Sequence, residues 1–334
     1  MLAAVYHSNR DIRVDEVPRP IAGSGELLMK IEASGICGSD VMEWYRIKKA
    51  PIVLGHEVAG LVEQVGEGVD GFNTGDRIVA THHVPCNTCR YCRTGRHSVC
   101  DTLRTTTFHP GGFAQYVRLP PINVDRGVVR IPDHVSYEEA SFVEPLACVV
   151  RALRISGLTP GMSVAVLGSG VSGILMIQAA KAMGAGEILA TDLSDYRLKQ
   201  AERFGATRVE RADRLDSSAF KADQVLVCAA AAPAVTQALE LVDKGGTILF
   251  FAPMEPGSTY PMPMFDIWNK NARIVHSYAG PPADMATAMD LIAAKRIDVA
   301  GMITHRLPLK ETAKGFDLML KGADSLKIVI EPWQ

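Results

Sequence analysis

Hydrophobic and polar residues alternate in short stretches over the first part of the chain, and glycine-rich turns separate these stretches. Alternation with a period of two predicts half-buried strands, here at 27–33, 57–65 and 77–80. Glycine, serine, asparagine and aspartate clusters indicate turns at 23–25, 66–71 and 73–76. Up to about residue 145 the pattern therefore predicts a mainly β, partly open barrel.

The pattern changes near residue 137, where helical periodicity begins to alternate with apolar runs of strand length. Helices are predicted at 137–155, 173–183, 196–204, 234–241 and 285–294. Strands are predicted at 162–167, 188–191, 225–229 and 247–252. Such alternation is typical of a parallel sheet with right-handed crossovers.

The C-terminal tail, 303–332, has a strand, a helix at 310–320 and a final strand at 326–330. We expect this tail to return to the first domain. The fold class is therefore α/β with two domains: a mainly β domain at 1–148 and 290–334, and a doubly wound parallel-sheet domain at 149–289.

A glycine-rich loop, GSGVSG, follows the apolar strand at 162–167 and opens the next helix. Its glycines permit a tight turn, close approach of a pyrophosphate, and close packing of helix on strand. The amides at the helix N-terminus favour phosphate. The predicted cofactor-binding residues of the loop are Gly168, Gly170, Val171, Ser172 and Gly173.

Asp192 ends the next strand, about 20 residues beyond the loop, where a carboxylate binds the ribose hydroxyls of a dinucleotide. This carboxylate would repel a 2′-phosphate, so the sequence favours NAD over NADP. Arg197, one helical turn further on, either reaches the adenosine end or is a solvated surface residue. The alternative for the whole motif is a glycine-rich turn followed by an aspartate that caps a helix.

Composition narrows the possible functions. The chain has 334 residues and a formal net charge of −2, which gives no reason to expect a nucleic acid or an anionic membrane as partner. Neither a signal peptide nor an apolar run of transmembrane length is present in the sequence. The cysteines number seven. An odd number at metal spacings indicates a reducing, cytoplasmic location and metal binding rather than disulfides.

Four of these cysteines form a compact motif in the segment 84–102. A thiolate tetrad closes a tetrahedral site, and the bound ion orders a loop with few apolar residues of its own. An iron–sulfur cluster is the alternative for this spacing. The sequence predicts a structural zinc site at Cys86, Cys89, Cys92 and Cys100.

Several motifs, in their order along the chain, resemble the zinc-dependent medium-chain dehydrogenases. They are GICGSD, LGHEVAGLVEQVGEGV, FNTGDRI, the cysteine segment, GGFAQYV, FVEPL and VLGSGVSG. The chain is most similar to the sorbitol (polyol) and threonine dehydrogenase branch, over nearly its whole length. The resemblance implies a GroES-like catalytic domain, a Rossmann domain, and dimers or tetramers formed by pairing sheet edges.

The resemblance also implies a catalytic zinc bound by Cys37, His56 and Glu144, with Glu57 either a direct ligand or a support for the zinc water. Taken singly, the first three residues are better explained as a buried thiol, a turn histidine and a helix N-terminal charge. Cys148, one turn beyond Glu144, is an alternative ligand. Such a site would activate an alcohol for hydride transfer to NAD.

Two departures from the branch concern the substrate. The resemblance gives Ser39 the role of accepting the alcohol proton, but Met42 stands where the branch has a histidine, so the proton must leave through Glu43, Glu57 or water. The segment before His56 is also short. The candidate substrate residues are Trp44, Tyr45, Arg46, His276 and Tyr278.

The basic residues Arg46, Lys48 and Lys49 either meet an anionic substrate or form a solvated loop. The expected activity is a zinc- and NAD-dependent dehydrogenase with two zinc ions per chain. Its substrate would be a small secondary alcohol such as a polyol, sugar alcohol, sugar acid or hydroxy amino acid, converted to the ketone. The alternatives are threonine 3-dehydrogenase-type activity and a zinc- and dinucleotide-binding sensor without turnover.

Overall fold

The computed structural model describes residues 1–322 and 324–334, which form two compact units. The first unit consists of Met1–Ala147, Ala279–Lys295 and Val299–Gln334, and the second of Cys148–Tyr278 and Arg296–Asp298.

In the structure, the chain returns to the first unit at Ala279, whereas the sequence predicted this boundary at residue 290. The helix Pro282–Ala293 belongs to the first unit because its C-terminal end is fastened there. The Ala293 carbonyl lies 3.1 Å from Nε2 of His134, and Lys295 pairs with Glu139 at 2.8 Å.

The first unit contains two sheets. A three-stranded antiparallel sheet has the order Asp11–Glu16, Leu2–Ser8, Ile52–Val53. A larger seven-stranded sheet has the order Ile303–Pro308, Lys327–Glu331, Leu27–Gly35, Glu57–Val65, Arg77–Ala80, Val128–Arg130, with Tyr116–Leu119 also paired to Leu27–Gly35. All of its pairs are antiparallel except the pair formed by Ile303–Pro308 and Lys327–Glu331.

Alternation along these strands places one face in an apolar core, as the period of two predicts. The larger sheet encloses fully buried side chains that include Leu27, Met29, Ile31, Val58 and Ile78. The helices of the described first unit are short, apart from Pro282–Ala293 and Thr312–Lys321. They are Glu43–Arg46, Arg90–Arg93, Asp101–Thr105, Pro121–Arg126 and Tyr137–Ala140, with 3₁₀ turns at Ile47–Lys49, His97–Val99, Ala300–Met302 and Leu309–Glu311.

The second unit is built on a six-stranded parallel sheet. Its strand order is Arg208–Arg211, Ile188–Asp192, Val164–Leu167, Ala222–Val227, Val242–Phe250, Arg273–His276. Numbered along the chain this is 3-2-1-4-5-6, the order of a Rossmann dinucleotide-binding fold, which confirms the predicted class. Its helices are Val171–Ala182, Asp195–Arg203, Ala232–Leu241 and Met264–Lys270, with a 3₁₀ turn at Ala212–Arg214.

The helix predicted over 137–155 is two helices, Tyr137–Ala140 and Val143–Ser156. Pro145 lies in the first turn of the second helix, where its missing N–H leaves no backbone bond unmade, whereas inside a continuous helix it would break the ladder. The break places Glu144 in a helix N-terminal turn.

Candidate metal and cofactor sites

The strand Leu27–Gly35 ends directly before a tight loop that carries Cys37. The backbone N–H of Cys37 donates to Oδ2 of Asp40 at 3.0 Å. The backbone N–H and the hydroxyl of Ser39 both lie 3.4 Å from the Cys37 sulfur. The loop therefore turns two donors toward the sulfur, an arrangement that suits a thiolate.

Asp40 is fully buried and links the loop to His56. Its Oδ1 lies 3.4 Å from Nδ1 of His56 and 3.5 Å from Nη2 of Arg46. Burial acts to raise the pKa of Asp40, but His56 and Arg46 outweigh it and hold that pKa below its usual value. Burial acts to lower the pKa of His56, but Asp40 and Cys37 outweigh it and raise that pKa well above its usual value. A carboxylate behind one imidazole nitrogen is how proteins orient a histidine that binds metal through the other.

Glu57 begins the strand that follows His56, and it is 1% exposed. Its carboxylate forms a buried ion pair with Lys327, whose Nζ also donates to the Ile36 carbonyl at 3.2 Å. Gly35 makes room for this pair, since a Cβ there would lie 2.2 Å from Glu57 Oε2 and 2.8 Å from Lys327 Nζ.

Ligand atoms of Cys37, His56 and Glu57 all lie within 4.8 Å of one another. One thiolate, one imidazole and one carboxylate make a donor set that fits zinc. Glu144 lies in the same region, because its carboxyl interacts electrostatically with His56, Glu57 and Lys327. Burial raises the pKa of Glu144 to about 7.

Four further residues of this region were missed by the sequence analysis. Asp40 and Lys327 support His56 and Glu57. His82 and His83 follow the strand Arg77–Ala80, and the His82 ring lies 4.8 Å from that of His56. Burial lowers the pKa of His82 well below its usual value and that of His83 to about 4, so both rings are neutral near pH 7.

The only sequence signal for the two histidines was their position, in ATHHVPC, directly before the first cysteine of the tetrad. Asp40 stands in the GICGSD motif, three residues beyond Cys37, where its spacing could have suggested a role. Nothing local distinguished Lys327, which lies at the other end of the chain.

The four cysteines of the segment 84–102 lie within 4.8 Å of one another. Sulfur–sulfur distances are 3.5 Å for Cys89–Cys92, 3.7 Å for Cys86–Cys100 and 4.0 Å for Cys86–Cys92. A disulfide would require about 2 Å, whereas Zn–S bonds of about 2.3 Å in a tetrahedron place sulfurs roughly 3.8 Å apart. The tetrad therefore fits a closed zinc site. A hydrogen bond from Thr88 lowers the pKa of Cys86 to about 5, which favours the thiolate.

The glycine-rich loop joins the strand Val164–Leu167 to the helix Val171–Ala182. Gly168 has a φ of +98°, and a Cβ on Gly173 would lie 1.9 Å from the Gly168 carbonyl oxygen. Gly170 is the residue before the helix, so Val171 and Ser172 form its first turn with their amides at the loop. The loop has the form that accepts a pyrophosphate.

Asp192 ends the neighbouring strand Ile188–Asp192 and is 9% exposed. Its Oδ2 accepts a hydrogen bond from the backbone N–H of Ser169 at 2.8 Å, and its Oδ1 accepts one from Ser194 at 2.9 Å. The cap of the following helix is Ser194, not Asp192. Nη1 of Arg197 lies 3.9 Å from Asp192 Oδ2, which brings the arginine to the same end of the loop.

The candidate substrate residues fall in both units. Trp44, Tyr45 and Arg46 form the short helix Glu43–Arg46, and Arg46 donates to the Ser39 hydroxyl at 3.0 Å and to the Ser39 carbonyl at 2.9 Å. Arg46 is therefore hydrogen-bonded to the loop that carries Cys37. His276 ends an edge strand of the second unit and stacks on Phe250 with ring centroids 5.4 Å apart, and Tyr278 lies just beyond it.

Comparisons with known proteins identify the family of both units. Residues 23–133 match the alcohol dehydrogenase GroES-like domain family, and residues 172–294 match the zinc-binding dehydrogenase family. Chicken (Gallus gallus) sorbitol dehydrogenase is 30% identical over 99% of this chain and 96% of its own length. These matches confirm the predicted pairing of a GroES-like domain with a Rossmann-like domain.

Two solved structures have the same fold over nearly the whole chain. A protein assigned as a zinc-binding dehydrogenase from Sinorhizobium meliloti 1021, solved with NADP bound, has a TM-score of 0.89 and 30% identity over 99% of both chains. Galactitol-1-phosphate dehydrogenase from Escherichia coli has a TM-score of 0.87 and 26% identity over 99% of this chain and 100% of that one. Within the described residues, no helix combines the length and apolar character needed to span a bilayer.

Proposed function

The protein belongs to the zinc-dependent medium-chain dehydrogenases, in their sorbitol dehydrogenase-like branch, and we propose that it transfers a hydride from a secondary alcohol to NAD. It is an alcohol or polyol dehydrogenase that uses zinc and a nicotinamide cofactor and acts on a small-molecule alcohol. We further propose a polyol, sugar alcohol or related hydroxy compound as substrate, and two zinc ions per chain, one catalytic and one structural.

The observation that carries the proposal is that ligand atoms of Cys37 and His56 lie within 4.8 Å of each other, with the carboxylates of Glu57 and Glu144 beside them. Cys37, His56 and Glu144 would hold the catalytic zinc. The charge of Glu57 is already compensated by Lys327. We therefore propose that Glu57 lies near the ion without binding it directly. Bound there, zinc would supply Lewis-acid polarisation of the substrate hydroxyl, and NAD would supply the hydride acceptor.

Ser39 is the residue proposed to take the proton of the substrate hydroxyl. Its Oγ lies 3.4 Å from the Cys37 sulfur and accepts a hydrogen bond from Arg46 at 3.0 Å. A hydroxyl that takes this proton must release its own, and the cation of Arg46 would stabilise the negative charge that develops on the oxygen as that proton leaves. Met42 has no proton to pass on, and Glu43 accepts a hydrogen bond from the backbone of Asn9 at 3.0 Å. Arg46 would therefore position Ser39, and water would carry the proton away.

The structural zinc would be held by Cys86, Cys89, Cys92 and Cys100, whose sulfur spacing fits a tetrahedral site. NAD is favoured over NADP because the Asp192 carboxylate ends the strand beside the glycine-rich loop and would repel a 2′-phosphate. Arg197 opposes this effect in part, since its cation lies 3.9 Å from the same carboxylate.

A homodimer or homotetramer is also part of the proposal. The edge strand Arg273–His276 leaves one side of the parallel sheet open, and the helix Met264–Lys270 exposes Phe265 at 71% and Trp268 at 75%. An open edge beside exposed aromatic residues is a surface that proteins normally cover. Light scattering would give the number of subunits, with a monomer contradicting this part of the proposal.

The activity is tested by following NADH absorbance with a panel of polyols, sugar acids, sugar phosphates, simple diols and threonine. We expect reduction of NAD by at least one polyol-type alcohol. Cys37→Ser should abolish this reduction, whereas Cys228→Ser, outside the proposed ligand sets, should leave it near wild type. Absence of NAD reduction with every alcohol, or full activity in Cys37→Ser, would contradict the proposal.

A further inference from the structure

The imidazole of His82 presents an unpaired nitrogen to Glu144. Nδ1 of His82 is buried and has no hydrogen-bond partner among the described residues. The nearest acid is Glu144, whose Oε1 lies 3.9 Å away, and the side chains are 18% and 6% exposed. A buried polar atom without a partner is costly, so its presence beside a carboxylate calls for an explanation.

The chain around His82 is held firmly. Thr81 is fully buried; its N–H donates to the Gly127 carbonyl at 2.9 Å, and its carbonyl accepts from Asn123 at 2.8 Å. The His83 backbone N–H donates to the Thr81 hydroxyl at 3.1 Å, and the His83 ring reaches the Leu103 carbonyl at 3.0 Å. His82 is thus fixed between two anchored residues.

Aromatic contacts limit how the His82 ring can turn. Its centroid lies 3.7 Å from that of His83, 4.8 Å from that of His56 and 6.1 Å from that of Phe108. With the ring held on these sides, the Nδ1 edge faces Glu144, and a shift of a few tenths of an ångström brings the pair into hydrogen-bond range.

We propose that His82 is a positioning residue, which donates a hydrogen bond from Nδ1 to one oxygen of Glu144 so that the other oxygen faces the zinc. This inference rests on the proposed function, because it assumes that Glu144 is a zinc ligand. Carboxylate ligands of metals are usually oriented by such a partner, and its loss typically lowers metal affinity 10–100-fold. His82 would do for Glu144 what Asp40 does for His56.

The test compares two amides in place of the imidazole. The nitrogen of asparagine lies near the position of Nδ1, whereas that of glutamine lies near the position of Nε2. We therefore expect His82→Asn to bind the catalytic zinc within about threefold of wild type, and His82→Gln and His82→Leu to bind it at least about tenfold more weakly. His109→Leu, which removes an exposed histidine of the same unit, is the matched control.

Zinc affinity is measured by competition with a chelator, and cobalt substituted at the catalytic site reports ligand geometry through its visible spectrum. The slowly released zinc of the cysteine tetrad shows in each sample that the unit is folded. Wild-type zinc affinity and cobalt spectrum in both His82→Gln and His82→Leu would overturn the inference, even if their KM for alcohol changed. A wild-type protein with no chelatable zinc would instead contradict the proposed function itself.

Discussion

Glu57 is held in place by a cation from the far end of the chain. Both side chains of the Glu57–Lys327 pair are 1% exposed, so each charge depends on the other for compensation. Gly35 is part of the same arrangement, since any larger residue would occupy the space of the pair. The buried carboxylate of Glu57 therefore depends on Lys327 for its charge and on Gly35 for its space.

Removing the lysine should destabilise the fold. In Lys327→Met the carboxylate of Glu57 is left buried and unpaired, which costs about 3–5 kcal/mol of unfolding free energy. Chemical denaturation of the zinc-loaded protein measures the change. The double variant Lys327→Met/Glu57→Gln should recover part of the loss, because the uncompensated charge is gone. A single variant within about 1 kcal/mol of wild type would show that the pair contributes little.

We propose that Asp192 sets the preference for NAD over NADP. In Asp192→Ser the repulsion of a 2′-phosphate is removed and Arg197 is free to bind that phosphate, so the ratio of kcat/KM for NAD over NADP should fall at least about tenfold. Asp195→Ser removes an exposed acid three residues further on and serves as the control. An unchanged ratio in Asp192→Ser would rule out the role in ribose binding.

In the loop between Val164–Leu167 and Val171–Ala182, one glycine is required for packing, and we propose that another is required for cofactor binding. Gly173 packs against the Gly168 carbonyl with no room for a Cβ. Gly170 is different, because a Cβ there would meet only the Arg197 guanidinium at 4.0 Å. The packing of the protein itself therefore requires Gly173, whereas we propose that Gly170 is required by the approach of the cofactor.

Two alanine variants distinguish these requirements. Gly173→Ala should lower both the melting temperature and NADH affinity, because the turn must open. Gly170→Ala should keep the melting temperature within about 2 °C of wild type, since the site tolerates a Cβ, and yet weaken NADH binding by at least about tenfold. Calorimetry and fluorescence titration give the two quantities. Unchanged NADH affinity in Gly170→Ala would contradict pyrophosphate binding at this loop.

The sequence predicted elements well where their signals are local. The strands and helices of the second unit alternate with clear periodicity, and the parallel arrangement of its sheet agrees with the prediction, although the strand Arg208–Arg211 was not among the predicted strands. The helix at 137–155 was predicted as continuous because its apolar periodicity runs across the break. The position of Pro145 relative to a new helix start could not be read from that periodicity.

At the scale of the whole molecule, the two proposed zinc sites differ in how far the sequence could define them. The cysteine tetrad is a local motif, and its spacing alone predicted the cluster that the structure contains. Cys37, His56 and Glu144 lie in separate segments, so their association could be expected only from family resemblance. Lys327 and His82 could be recognised only from the structure. There the end of the chain contacts Glu57, and the loop after Arg77–Ala80 lies beside Glu144.

The zinc content of the purified protein, measured together with NAD reduction before and after brief treatment with a chelator, shows whether a removable zinc ion carries the activity. We expect two zinc ions per chain, of which one is removed quickly with loss of activity and restores activity when returned. Cys37→Ser should retain only the slowly released ion. A single tightly held zinc in the wild-type protein, or full activity after the fast ion is removed, would contradict a catalytic role for zinc.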